Sequence, residues 1–142
     1  MTLRRTTAVL ALAGIGIAGY LTWVHYNGLE PVCVGGTGGC EKVQASRWAE
    51  LAGVPVAVLG LAGYVAILAS LALSEPLSAS AAAFLALVGF GFSAWLTYVE
   101  LVKIEAICQW CVASAAVMTA LALVSVARVL RGAAPAATVA SP

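Results

Sequence analysis

Four cysteines, Cys33, Cys40, Cys108 and Cys111, are the residues of this 142-residue chain whose type and spacing suit chemistry. They fall into two close pairs, C-x6-C and C-x2-C. In "ICQWC" (Ile107–Cys111) the second pair opens an apolar run. A helix starting there puts positions i and i+3 on one face, within reach of a shared disulfide. The unpaired N–H groups and dipole of a helix start favour a thiolate, below the ordinary thiol value of about 8.5. Cys108, nearer the helix end and the water, is expected to exchange with another thiol. Cys111, one turn deeper, is expected to face the bundle interior and meet a lipid-soluble molecule. Such spacing describes a two-electron relay from water to membrane. The same residues also allow a static disulfide or two packed thiols. Zinc is a poorer match, because C-x6-C is wider than the usual knuckle and His25 is the single histidine.

The first pair sits in "PVCVGGTGGCEKVQASRWAELAGVP", where four of the six residues between the cysteines are glycine. That tether is flexible. Mobility suits a pair that must reach two partners, whereas an ordinary outer loop closed by one structural disulfide does not need it. "SRWAEL" then predicts a short amphipathic helix with Ser46 as N-cap and Trp48 as apolar anchor, lying over the mouth of the bundle.

The elements that must position these thiols are membrane helices. Hydrophobic residues make up 63% of the chain and charged ones 9%, with a mean hydropathy of +1.03. A soluble domain of this size needs more polar residues to cover its surface. No basic block suggests nucleic acid. Four apolar runs, about 6–26, 54–73, 79–99 and 108–130, are long enough to cross roughly 30 Å of hydrocarbon. The expected fold is an all-α integral membrane protein, a four-transmembrane-helix bundle over residues 1–131. The low-complexity segment 132–142 is expected to be a disordered tail. Tyr20, Trp23 and Tyr26, with Trp95 and Tyr98, fall where an interfacial aromatic belt belongs. "SEPLSA" makes a tight hairpin between the second and third spans.

Arg4, Arg5, Arg128 and Arg131 lie hard against span ends, and the positive-inside rule then puts both termini in the cytoplasm. All four cysteines gather at the outer face, where disulfides persist. A signal peptide is the alternative for the first span, but no small-x-small cleavage site precedes polar sequence. "LAGIGIAGYLTWV" (Leu12–Val24) aligns with "LVGFGFSAWLTYV" (Leu87–Val99) at six identities in thirteen, as a parallel two-helix repeat or convergent glycine-rich helices would give. In either case the shared glycines allow close helix packing.

Four helices, a loop cysteine pair, Ser46 six residues after Cys40, and a C-x-x-C opening the last helix together resemble the vitamin K epoxide reductase family. "CEKVQASRWAELAGVPVAVLG" (Cys40–Gly60) is similar to the family's segment from loop cysteine to second helix, and the likeness runs from about Gly14 to Ala120. The resemblance implies that a separate thioredoxin-like (DsbA-like) protein outside the cytoplasm passes electrons to Cys33 and Cys40. Cys40 then attacks the Cys108–Cys111 disulfide at Cys108, and Cys111 reduces a quinone held among the helices. That quinone is menaquinone or ubiquinone in the bacterial branch, and vitamin K or its epoxide in the animal branch. Ser46 is implied to orient or polarise the cap. Two positions depart from animal members: Ala115 stands where they tend to carry a tyrosine, and Val56 where they carry an asparagine. Both departures argue against epoxide reduction. Tyr64, Ser114 and Gln109 are the remaining candidates for polar contact with the quinone, each also accounted for by packing or helix surface.

Other classes remain in view. A non-catalytic scaffold with two structural disulfides would have inert cysteines. A DsbB-type protein would carry its two pairs in the reverse order. A transporter is disfavoured because no charged residue is expected inside a span. His25 and Glu100, near the outer interface, are placed to carry protons, and Glu105 to touch the C-x-x-C. All three also read as solvated interface residues.

Overall fold

The computed structural model describes residues 2–29, 31–32, 42–43 and 45–132, and the backbone alone over 133–140. Its elements are the helices α1 (Thr2–Tyr26), α2 (Val56–Ser70), α3 (Leu77–Tyr98) and α4 (Gln109–Ala140). A single π turn, Val99–Ile104, prolongs α3. Helix α1 packs on α2 and α4, and α3 packs on the same two, which makes a four-helix ring.

Among the described residues, three helical stretches are long and apolar enough to cross a membrane: Thr2–Tyr26, Leu77–Ile104 and Gln109–Gly132. The second expected span is different. Helix α2 has only 15 residues, about 22 Å at 1.5 Å per residue, against roughly 30 Å of hydrocarbon. The rest of its apolar run takes other forms. Val54–Pro55 is a strand (β2) paired antiparallel with Glu50–Leu51 (β1). At the other end Leu71, Ala72 and Leu73 close tight turns onto Leu68, Ala69 and Ser70. Helix α4 carries its backbone well into the segment expected to be a disordered tail, in keeping with the run of alanines there.

The predicted amphipathic helix at "SRWAEL" is a single 3-10 turn, Arg47–Ala49, after which the chain goes straight into β1. Six residues are too few to offset the cost of helix nucleation, and pairing Glu50–Leu51 with Val54–Pro55 satisfies the backbone instead. Ser46 is extended and makes no side-chain cap; its hydroxyl turns back to the Val43 carbonyl at 2.7 Å.

Apolar side chains lie both inside and outside the bundle. Small residues, Ala11, Ala18, Ala82 and Ala86, are buried beside Tyr64, Ile67, Met118 and Leu121, while Val9, Leu12, Phe84, Val88 and Leu123 face outward. Small interiors let helices approach where no water drives them together. The two aligned segments show this directly. A Cβ on Gly14 would clash with the ring of Tyr64 from α2, and one on Gly89 would meet Met118 from α4 at 2.7 Å. Gly14 and Gly89 are one aligned pair; the other, Gly16 and Gly91, has open space at both positions.

The end of the bundle opposite the C-x-x-C is tied by charge. The buried Arg128 guanidinium bonds Glu75 and the Ser78 hydroxyl, and Arg4 donates to the Leu71 carbonyl. Arg4, Glu75, Arg128 and Arg131 line one hollow there.

The glycine geometry makes a graded prediction. In thermal unfolding in detergent, Gly14→Ala should destabilise most, by about 1–3 kcal/mol, because a rigid ring cannot move aside. Gly89→Ala should cost less, since the Met118 chain can give. Gly16→Ala should leave stability unchanged or raise it slightly through helix propensity.

Candidate functional site

The path from α3 to α4 builds the site. After the π turn, Glu105 adopts a left-handed conformation at φ 58°. That reversal lets the backbone N–H groups of Glu105 and Ala106 both bond the Glu100 carbonyl, the latter at 3.1 Å. The chain is thereby folded back over its own helix end, and Cys108 becomes the residue that starts α4, its carbonyl accepting from Val112 at 3.0 Å.

Cys108 is fully buried, against the expectation that it would be the thiol nearest water. Val43, Val99 and Ile104 enclose it, with Trp48, Ala106, Trp110 and Cys111 packed around them. The reason is tertiary: Ala106 of the reversed segment and Val43 and Trp48 of the loop before β1 pack over the helix start. Cys111 lies as expected, one turn deeper on the interior side, half-buried and lining a cavity of about 350 Å³.

That cavity is walled mainly by apolar side chains, among them Leu21, Trp48, Phe92, Leu96 and Met118. Val56 and Ala115, the two departures from the animal pattern, both line it. So do Tyr64 and Ser114, which the structure brings together: the Tyr64 hydroxyl lies 2.8 Å from both the Ser114 carbonyl and the Ser114 hydroxyl. One of the two hydroxyl protons is committed to that carbonyl. The other is left for its neighbour or for an acceptor in the cavity. Gln109 is at the helix start and does not line the cavity.

Glu100, not Glu105, meets the C-x-x-C. Its side chain is only 5% exposed. The carboxylate accepts the Cys108 backbone N–H at 3.2 Å, touches the Cys111 thiol and lines the same cavity. Glu105 is exposed. The sequence reading set Glu100 just outside the third span; the π turn carries the helix on to Ile104 and encloses it. His25 lies apart, 3.4 Å from Glu50 of β1.

Cys33 and Cys40 lie outside the described residues, but their chain neighbours do not. Val32, which precedes Cys33, is held at both backbone atoms. Its N–H donates to the Tyr20 hydroxyl at 3.0 Å, and its carbonyl accepts from the Trp110 indole at 2.7 Å. The two rings pack with centroids 4.8 Å apart. Trp110 is the second residue between the C-x-x-C cysteines, so the motif itself grips the loop. Val43, three residues after Cys40, is packed against Cys108. The Ser46 hydroxyl and N–H both bond the Val43 carbonyl, which fixes that turn. The sequence places Tyr20 only in the aromatic belt and assigns Trp110 no role, and no spacing signal links either to Val32.

The C-x-x-C pair thus lies between capping segments and an apolar cavity at one end of a bundle whose helices are long and apolar enough for a membrane protein. Residues 5–126 match the model of the Vitamin K epoxide reductase family. The chain belongs to that family, whose members are membrane oxidoreductases that generally use quinones.

The grip on Val32 is testable by hydrogen exchange. Tyr20→Phe removes the acceptor of the Val32 N–H, and Trp110→Phe the donor to its carbonyl. With each bond worth about 1 kcal/mol, exchange at Val32 should rise roughly fivefold in Tyr20→Phe. Trp110→Phe should loosen the same peptide, and the α2 core should be unaffected.

Proposed function

We propose that this protein is a quinone-linked thiol–disulfide oxidoreductase that supports disulfide formation outside the cytoplasm. It takes electrons from a separate thioredoxin-like (DsbA-like) protein through Cys33 and Cys40. It passes them to Cys108 and Cys111 and delivers them to a quinone. Both termini are cytoplasmic in this reading, and both cysteine pairs lie at the outer face.

The observation that carries the reading is the place of Cys111. It touches Cys108 on one side and an apolar cavity on the other. A volume of about 350 Å³ falls at the small end of ligand sites. That is room for a ring, with an isoprenoid tail left to pass out between helices. The lining suits such a ring: apolar walls, and the polar groups of Tyr64, Ser114 and Glu100. A quinone bound there supplies a sink for two electrons and two protons.

The chain's own residues do the rest by exchange. A Cys40 thiolate attacks Cys108, the Cys40–Cys108 bond forms, and Cys111 leaves as the thiol side of the broken disulfide. Cys33 then attacks Cys40, restoring the loop disulfide and releasing Cys108. Chain length supports this order. Cys40 is three residues from Val43, within about 11 Å along an extended chain, and Val43 rests on Cys108. Burial of Cys108 keeps other thiols away from it, so the loop is its natural partner. Ser46 positions the cap by holding Val43. Apolar Val56 and Ala115 in the cavity wall favour a respiratory quinone, menaquinone or ubiquinone, over an epoxide.

The test is a quinone-reduction assay with purified protein, a reduced thioredoxin-like partner and a short-chain menaquinone or ubiquinone analogue. Wild type should turn over, whereas Cys111→Ala and Cys40→Ala should fall to background. A silent wild type whose four thiols stay paired would make the cysteines structural staples and end this reading.

A further inference from the structure

An ionisable side chain enclosed in a membrane bundle is costly and calls for a purpose. Glu100 is such a group, and it sits at the start of a π turn, an irregularity frequent at functional sites. Three contacts converge on its carboxylate: the Cys108 N–H, the Cys111 thiol and the cavity. The Cys111 thiol is in turn hydrogen-bonded to Cys108. A continuous line therefore runs from Cys108 through Cys111 and Glu100 to the space where an electron acceptor would lie. Among the described residues that line the cavity, Glu100 is the one carboxylate.

We propose that Glu100 is a catalytic proton carrier, taking the thiol protons of the C-x-x-C as the pair is oxidised and releasing them into the cavity. The proposal rests on the quinone-linked reading above. Oxidising the dithiol breaks two S–H bonds, forms one S–S bond, and frees two electrons and two protons. The quinone takes both electrons and both protons. Glu100 accepts the Cys111 proton, hands it to an oxygen in the cavity and is a carboxylate again. The Cys108 proton follows by way of the Cys111 sulfur. Glu100 ends unchanged, and water need not enter the bilayer interior.

Glu100 also anchors the start of α4, so the test must separate anchoring from proton transfer. Glu100→Gln keeps an oxygen for the Cys108 N–H and cannot carry a proton; Glu100→Asp keeps the carboxylate; Glu100→Ala leaves room for a small acid. Each is pre-reduced and mixed once with a short-chain quinone, with and without formate. In parallel, infrared difference spectra are taken as the C-x-x-C is chemically oxidised without quinone.

Glu100→Gln should melt like wild type and form the Cys40–Cys108 bond normally. Its quinone reduction should slow by about 10²–10⁴-fold, the usual worth of a positioned proton-transfer group. Glu100→Asp should keep part of the rate, and formate should accelerate Glu100→Ala. Wild type should show a carboxyl band that changes with dithiol oxidation and vanishes in Glu100→Gln. The proposal is overturned by a Glu100→Gln rate within twofold of wild type. It is equally overturned if the variants are slow, formate gives no rescue and no carboxyl band responds, because Glu100 is then an anchor only. A wild type that fails to reduce quinone defeats the broader reading, and the infrared comparison still decides whether Glu100 takes the thiol proton.

Discussion

The hydrogen bond from the Cys108 N–H to the Glu100 carboxylate is the contact on which the C-x-x-C end of the bundle depends. A helix start leaves backbone donors that a membrane cannot solvate. A buried carboxylate without partners is worse still. Each resolves the other's problem. To bring them together the chain needs a π turn that rotates Glu100 inward and a left-handed residue that reverses direction at Glu105. The dithiol's position follows: Cys108 is set under the reversed segment, and Cys111 is one turn further in, at the cavity.

Around that contact the protein separates what is held from what is open. The cap is held by specific bonds, Val32 by Tyr20 and Trp110, Val43 by Ser46. Both flank the glycine-rich tether that carries Cys33 and Cys40. The interior below is held by small residues: glycines accept Tyr64 and Met118, and alanines fill the centre. Ile67 and Leu121 are buried among them, and other large side chains face the lipid side or the cavity wall. The cavity exists because small residues on the inward faces of α2 and α3 leave space that Cys111 borders.

Much of this was legible in the chain. The helical character, three of the spans and the shared face of Cys108 and Cys111 follow from apolar length and 3.6-residue periodicity. The close packing at Gly14 and Gly89 also agrees with the aligned glycines, whereas the bond between Tyr64 and Ser114 was not legible from either residue. The departures are local and have one cause: backbone at both ends of the bundle has alternatives of similar cost. Val54–Leu73 looked like a full span, yet its ends pair as a strand and close as tight turns. "SRWAEL" looked helical, but a short segment takes whichever hydrogen bonds its neighbours offer.

Sequence by itself determined that the protein lives among lipid, that its thiols come as two pairs and that one pair opens a helix. Those properties depend on composition and short-range spacing. Tertiary structure alone decided that Cys108 is buried, that Glu100 rather than Glu105 attends the thiols and that Trp110 grips the residue before Cys33. Each of these joins residues far apart in the chain or turns on one π turn, and a side chain's burial is set by what folds over it. No periodicity encodes that.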